Sequence, residues 1–272
     1  VVIHSEESEM ELSIYQVDAF ASQSFSGNPA AVCPLPHWLD DSVLSNIARE
    51  NNLSETAFFV KNGDHYELRW FTPGTEVDLC GHATLATAWV ISQALGDKSA
   101  SLRFSTRSGD LWVTCQDEVF HMDFPVKSPE PFALPDGLTQ ALGLTAPITA
   151  VLKTDDIVIV IEDAAALEAL APDFAALNAF DTRGVVVTAP GDDFDFVSRW
   201  FGPRVAVNED PVTGSAHTSL APYWSKRLNK TQMSARQGGA RKGELQCEMS
   251  GIDRVIISGK AALYMRGTIY LN

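Results

Sequence analysis

A chain of 272 residues, 45% hydrophobic and 20% charged, has the make-up of an ordinary globular protein, long enough for one large domain or two of average size. Its formal net charge of −15 argues against nucleic acid or an anionic membrane as a partner, while a small anionic substrate responds only to the field of its own pocket. The four cysteines (Cys33, Cys80, Cys115, Cys247) are widely spaced, with no CxxC or metal-ligand pattern, and read as reduced cytoplasmic thiols with no metal implied.

The first nine residues are too polar for a signal peptide, and Met10 is a candidate natural start. No stretch is apolar enough to span a membrane, so a cytoplasmic protein is expected. Residues 14–20 predict a strand, Gly27-Asn28-Pro29 a turn and residues 30–33 a second strand. Asp40 or Asp41 can cap a helix running to about Asn51, with Val43, Leu44, Ile47 and Ala48 as its apolar stripe. Strands are predicted at 56–60, 65–71, 102–105, 111–115 and 119–124, with Gly109-Asp110 as a hairpin turn. Residues 125–135 carry four prolines and are the best linker. Beyond them come a helix from about Thr139, strands at 157–161 and 185–188 around a helix at 164–170, and closing strands at 255–258 and 262–270.

One stretch has a second copy. Arg69-Trp70-Phe71-Thr72-Pro73 returns as Arg199-Trp200-Phe201-Gly202-Pro203, and Cys80-Gly81-His82-Ala83 as Thr213-Gly214-Ser215-Ala216. Arg107-Ser108-Gly109-Asp110-Leu111 then returns as Arg241-Lys242-Gly243-Glu244-Leu245. Three pairs in the same order indicate an internal duplication, hence two like halves, 11–124 and 125–272, with the last strand returning to the first half. Residues 79–96 and 211–225 contain no charge, which in so acidic a chain predicts two helices buried on all sides. Pro222 predicts a kink or an early end in the second. Each begins at a glycine and offers first-turn N–H groups to an anion, although the glycines can equally serve only tight packing. The expected fold is α+β, each half a curved, mostly antiparallel sheet around a central helix. Nothing resembles a GxGxxG fingerprint.

Around the glycine turns lie His82, Asp210 and Ser215, which could be helix-capping residues and nothing more. Glu55 stands among Leu53, Ala57, Phe58 and Phe59, at a helix–strand junction, where a solvent-facing loop acid is the alternative.

These residues carry a resemblance. Val17-Asp18-Ala19-Phe20, Gly27-Asn28-Pro29, Asn52-Leu53-Ser54-Glu55-Thr56, Gly81-His82 and Glu209-Asp210-Pro211-Val212-Thr213-Gly214-Ser215-Ala216 resemble the signature blocks of the PhzF family of phenazine-biosynthesis-like isomerases. The resemblance implies the diaminopimelate-epimerase fold with its active site between the halves, a homodimer and no cofactor. It implies Glu55 as the proton-shuttling acid, with His82, Asp210 and Ser215 as polar partners. Gly81 and Gly214, with Ala83 and Ala216 beside them, become the backbone positions that hold a small carboxylate-bearing substrate. The related epimerases use a cysteine before each helix glycine. Here the first is Cys80 but the second is Thr213, a hydroxyl too weak for that role, so a two-thiol racemase is disfavoured. The expected function is a cofactor-independent isomerase moving a proton within a small carboxylic acid. A non-catalytic binding protein and a racemase are the alternatives.

Overall fold

The computed structural model describes residues 10–271; the reading of the first nine residues falls outside it. The strand ladder shows the duplication directly. In the first half the strands Met10–Ala19, Asn28–Leu35, Glu55–Asn62, His65–Phe71, Ser101–Thr106, Gly109–Gln116 and Val119–Pro125 pair in succession. The six pairings run antiparallel, parallel, antiparallel, parallel, antiparallel and antiparallel. In the second half Ile148–Lys153, Ile157–Ile161, Val185–Pro190, Phe196–Gly202, Gln232–Gln237, Gly243–Ser250 and Arg254–Gly259 repeat that sequence of senses. Val119–Pro125 pairs with Arg254–Gly259 and joins the halves into one ladder. The ends are exchanged: the closing strand Ala261–Leu271 pairs with Met10–Ala19, and Glu130–Pro131 pairs with Ile148–Lys153.

The repeated Arg-Trp-Phe is explained by strand alternation, in which neighbouring side chains face opposite sides of the sheet. Trp70 and Trp200 point inward to the core that holds both central helices. Phe71 and Phe201 point outward, each under helices that cover the other face of the sheet. In the first half that cover is Asp41–Asn51, through Leu44, Ile47 and Ala48; in the second it is the short helices Leu138–Leu142, Ala164–Glu168 and Phe174–Leu177. Arg69 lies 5.1 Å over Phe71 and forks onto Glu76 at 2.7 and 2.8 Å. Arg199 lies 5.0 Å over Phe201 and forks onto Glu209 at 2.7 and 2.9 Å. The same aromatic-backed ion pair is built twice.

The two uncharged segments form the central helices Gly81–Trp89, continued by a wider turn at Val90–Ala94, and Gly214–Leu228. They show no amphipathic stripe because the sheet surrounds them: residues 82–88 of the first are all buried, as are Leu220, Ala221 and Trp224 of the second. Fully burying a side chain such as Leu85 or Ile91 contributes about 1.5–3 kcal/mol, which offsets the weak helix propensity of Thr84 and Thr87. Pro222 does not end its helix, which runs six residues further to Leu228. The packing of Ala221 and Trp224 holds the turn that lacks the proline N–H. The linker around the prolines is partly a strand, and the hairpin turn falls at Arg107-Ser108, with Thr106 paired to Gly109. Among the described residues, no helix is long and apolar enough to cross a membrane.

Candidate active site

The two central helices start against one another. A Cβ built on Gly81 would lie 3.9 Å from the Cα of Gly214, and one on Gly214 would lie 3.9 Å from the Cα of Gly81. Neither start receives a side-chain cap, although Asp210, Thr213 and Ser215 stand ready to give one. The first-turn N–H groups therefore meet no capping side chain. Two of the expected backbone donors are already engaged. The N–H of Ala216 donates to the Thr213 carbonyl at 3.1 Å, and that of Ala83 is turned to the Cys80 sulfur. The residues ahead of them in each turn, Gly81-His82 and Gly214-Ser215, are the better-placed donors.

Glu55 is the first residue of its strand, directly after the left-handed turn at Asn52 that ends the outer helix. That junction aims its side chain inward, where only 17% of it is exposed. Its Oε2 lies 3.3 Å from His82 Nε2 and, among the described residues, has no hydrogen-bond partner of normal geometry. Burial pushes the Glu55 carboxyl up, against the lowering effect of hydrogen bonds from Ser54 and Cys80. Burial likewise lowers the His82 imidazole, which the Asp210 charge partly counters. The Cys80 thiol stands 3.4 Å from His82 Nδ1. Burial, and next the charge of Glu55, raise it well above its ordinary value, so it is a thiol and not a thiolate.

Asp210 approaches from the second half. Its Oδ1 accepts from Asn28 Nδ2 at 2.7 Å and its Oδ2 from Thr213 Oγ1 at 2.5 Å. Asn28 is buried and also donates to the Val212 carbonyl, which ties the two halves together at the site. Burial pushes Asp210 up to about 6; His82 and the hydrogen bonds oppose this, and the nearby Glu55 charge adds to it. Thr213, at the position matching Cys80, is fully engaged: it donates to Asp210 and accepts from Gln237 Nε2 at 2.9 Å. Ser215 accepts from Arg183 Nη1 at 3.0 Å. Sequence reasoning gave no role to Arg183, Asn28 or Gln237; Gly27-Asn28-Pro29 stood out as a turn and as one of the family-like blocks, with no part in the site.

Glu55, Cys80 and His82 each place one donor atom within 4.8 Å of the others, the spacing of a metal site. The imidazole nevertheless faces Cys80 with one nitrogen and Glu55 with the other, and one ring cannot give both to a single ion. The arrangement is a chain of proton-bearing groups, Cys80–His82–Glu55. A cavity of about 510 Å³ between the Phe20–Ser26 loop and the strands at Gly243 and Gly259 contains none of these residues.

A duplicated sheet around two nose-to-nose helices, with Glu55 and Asp210 near their junction, is the architecture of the diaminopimelate-epimerase-like fold class. The chain belongs to the phenazine biosynthesis-like protein family (PhzC–PhzF), whose model matches residues 17–267. It is 64% identical over 262 residues to an uncharacterised isomerase of Pseudomonas aeruginosa, covering 96% of this chain and 100% of that one. A crystal structure of a PhzF-family phenazine biosynthesis protein from Enterococcus faecalis superposes with a TM-score of 0.93 at 49% identity, covering 96% of this chain and 100% of that one. A probable proline racemase of Agrobacterium radiobacter shares the fold alone, with a TM-score of 0.61 at 9% identity over 96% of this chain and 93% of that one.

Proposed function

We propose that the protein moves a proton between two carbons of a small unsaturated carboxylic acid, with Glu55 as the acid and base. The observation that carries this is the Glu55 carboxyl itself. It is half-buried, its pKa is raised, and its unpaired Oε2 lies beside His82 at the start of the Gly81 helix. A group that must first take a proton and then return it works best when its pKa approaches the ambient pH. Glu55 removes the proton from one carbon, the substrate carboxylate and conjugated system take up the charge, and the protonated Glu55 delivers it to the second carbon. The shift is redox-neutral and balances without an electron acceptor. The amides of Gly81-His82 and Gly214-Ser215 hold the carboxylate, helped by the two helix dipoles. His82 steadies Glu55, and Asp210, pushed up to about 6 by burial, lines the far side of the site.

The raised Cys80 thiol and the engaged Thr213 hydroxyl do not supply the two-base pair of a racemase. The family resemblance further implies a homodimer without cofactor, and the cysteine pattern a cytoplasmic one. Incubation in D₂O with a panel of small unsaturated and amino carboxylic acids tests the reading. Deuterium uptake with double-bond migration supports it. Uptake with inversion at one carbon replaces it with a racemase, and binding without uptake replaces it with a binding protein.

A further inference from the structure

The strand registers extend the repeat from the Arg-Trp-Phe strands to the walls of the cleft. Thr56 pairs with Phe71 and Ala31, while Val185 pairs with Phe201 and Ile157. Thr56 and Val185 are therefore equivalent, and one and two steps back Glu55 matches Gly184 and Ser54 matches Arg183. Across the cleft, His82 matches Ser215. In the first half Ser54 Oγ lies 3.4 Å from His82 Nε2; in the second Arg183 Nη1 donates to Ser215 Oγ at 3.0 Å. The same contact is made twice, with opposite chemistry around it. One wall has kept an acid. The other has a glycine in its place and a cation beside it.

Arg183 is held for a purpose that packing alone does not explain. Its Nε and Nη2 fork onto the buried Asp156 at 2.9 and 2.5 Å, and Asp156 is fixed in turn by Trp200 Nε1 at 3.0 Å. Gly184 makes room for that indole: a Cβ there would fall 2.4 Å from the Trp200 ring. A guanidinium has five N–H groups, and these partners with Ser215 take three. The side chain remains 35% exposed. A rigid, partly open guanidinium with two N–H groups to spare is suited to a carboxylate. Of the two helix starts, the one at Gly214-Ser215 lies beside this cation and the one at Gly81-His82 beside Glu55, so a carboxylate is drawn toward the former.

We propose that Arg183 receives the substrate's carboxylate and so fixes its direction, carboxylate toward Ser215 and reacting C–H toward Glu55. The inference rests on the proton-shift reading of the cleft. The substrate class is then an acid whose carboxylate and migrating proton lie at opposite ends of a short conjugated chain.

The test uses crotonate and its neutral isostere crotonamide, titrated into ¹⁵N-labelled protein while the amide signals of Gly81, Gly214 and Ser215 are followed. The wild type is expected to bind crotonate about tenfold more tightly than crotonamide, with the larger shifts at Gly214 and Ser215. Arg183→Met is expected to bring that ratio close to one, and Arg183→Lys to retain part of it. Because Arg183→Met also strands the buried Asp156, the double variant Arg183→Met/Asp156→Asn serves as the folded control and is expected to behave alike. A full crotonate preference in the folded double variant overturns the role of Arg183 and leaves the cleft reading intact. Absence of any crotonate shift at either turn of the wild type overturns both.

Discussion

Gly81 and Gly214 are mutual neighbours: a methyl group on either would stand 3.9 Å from the Cα of the other. Two helices from opposite halves thus begin at one point, each without a side-chain cap. Helix dipoles and first-turn amides from two directions converge there, which favours an anion.

The first prediction follows from that contact. The separation is ordinary van der Waals distance and neither glycine has a positive φ, so Gly81→Ala is expected to change stability by less than about 1 kcal/mol. Its methyl nevertheless occupies the ligand's space, and crotonate affinity should fall about tenfold or more. Gly243→Ala is the contrast. Its Cβ would meet Val212 Cγ2 at 2.3 Å and the Phe20 carbonyl at 2.9 Å, for a loss of about 1–3 kcal/mol. Thermal melts with calorimetric titration separate the two effects.

Asp210 and His217 give opposite pH slopes. Asp210 is pushed up to about 6 from 3.8, so between about pH 4 and 6 the folded protein holds a proton that the unfolded chain has lost. Its contribution to stability is full below that window and is lost as pH rises through it. His217 is pulled down by burial to about 4 from 6.5; its contribution is full above the window and is lost as pH falls. Asp210→Asn should therefore gain on the wild type as pH rises from 4 to 7, and His217→Gln as pH falls from 7 to 4. Each change should reach at most about 3 kcal/mol. Melting curves parallel to the wild type's at every pH would remove the basis for both assignments.

Sequence patterns carried much of this architecture. The Arg-Trp-Phe repeat was legible because its three residues serve three different ends, respectively an ion pair, the inner core and the outer core. The strands Gln232–Gln237 and Gly243–Ser250 were missed. They alternate in burial, but their inward residues include Ala, Gly, Cys and Gln and raise little hydrophobic signal. Glu130–Pro131 was hidden by its proline, tolerated at the edge of a sheet. Arg183 had no signal at all. Its equivalence to Ser54 lies in strand register, and the two residues share no chemistry.

The duplicated ion pairs should differ in cost. The Arg199 side chain is 8% exposed and its Nη1 is committed to the carbonyls of Leu167 and Leu170 at 3.2 and 2.9 Å. Arg69 is 19% exposed and keeps Asp41 at 2.9 Å when Glu76 is neutralised. Glu209→Gln, which leaves a buried cation unpaired, is expected to cost about 3 kcal/mol, and Glu76→Gln about 1 kcal/mol. Urea unfolding of the two variants measures the difference, and equal losses would show that the two halves are solvated alike.

The central claim is that Glu55, and not the Cys80 thiol beside it, carries the proton. The measurement is the rate of solvent deuterium exchange into a turned-over unsaturated acid, compared for Glu55→Gln and Cys80→Ala under identical conditions. Glu55→Gln keeps the shape of the side chain and removes the base, so exchange should fall about 100- to 10,000-fold while ligand binding and melting temperature hold. Cys80→Ala should keep most of the rate. Exchange that survives Glu55→Gln and disappears in Cys80→Ala would assign the proton to the thiol and contradict the account.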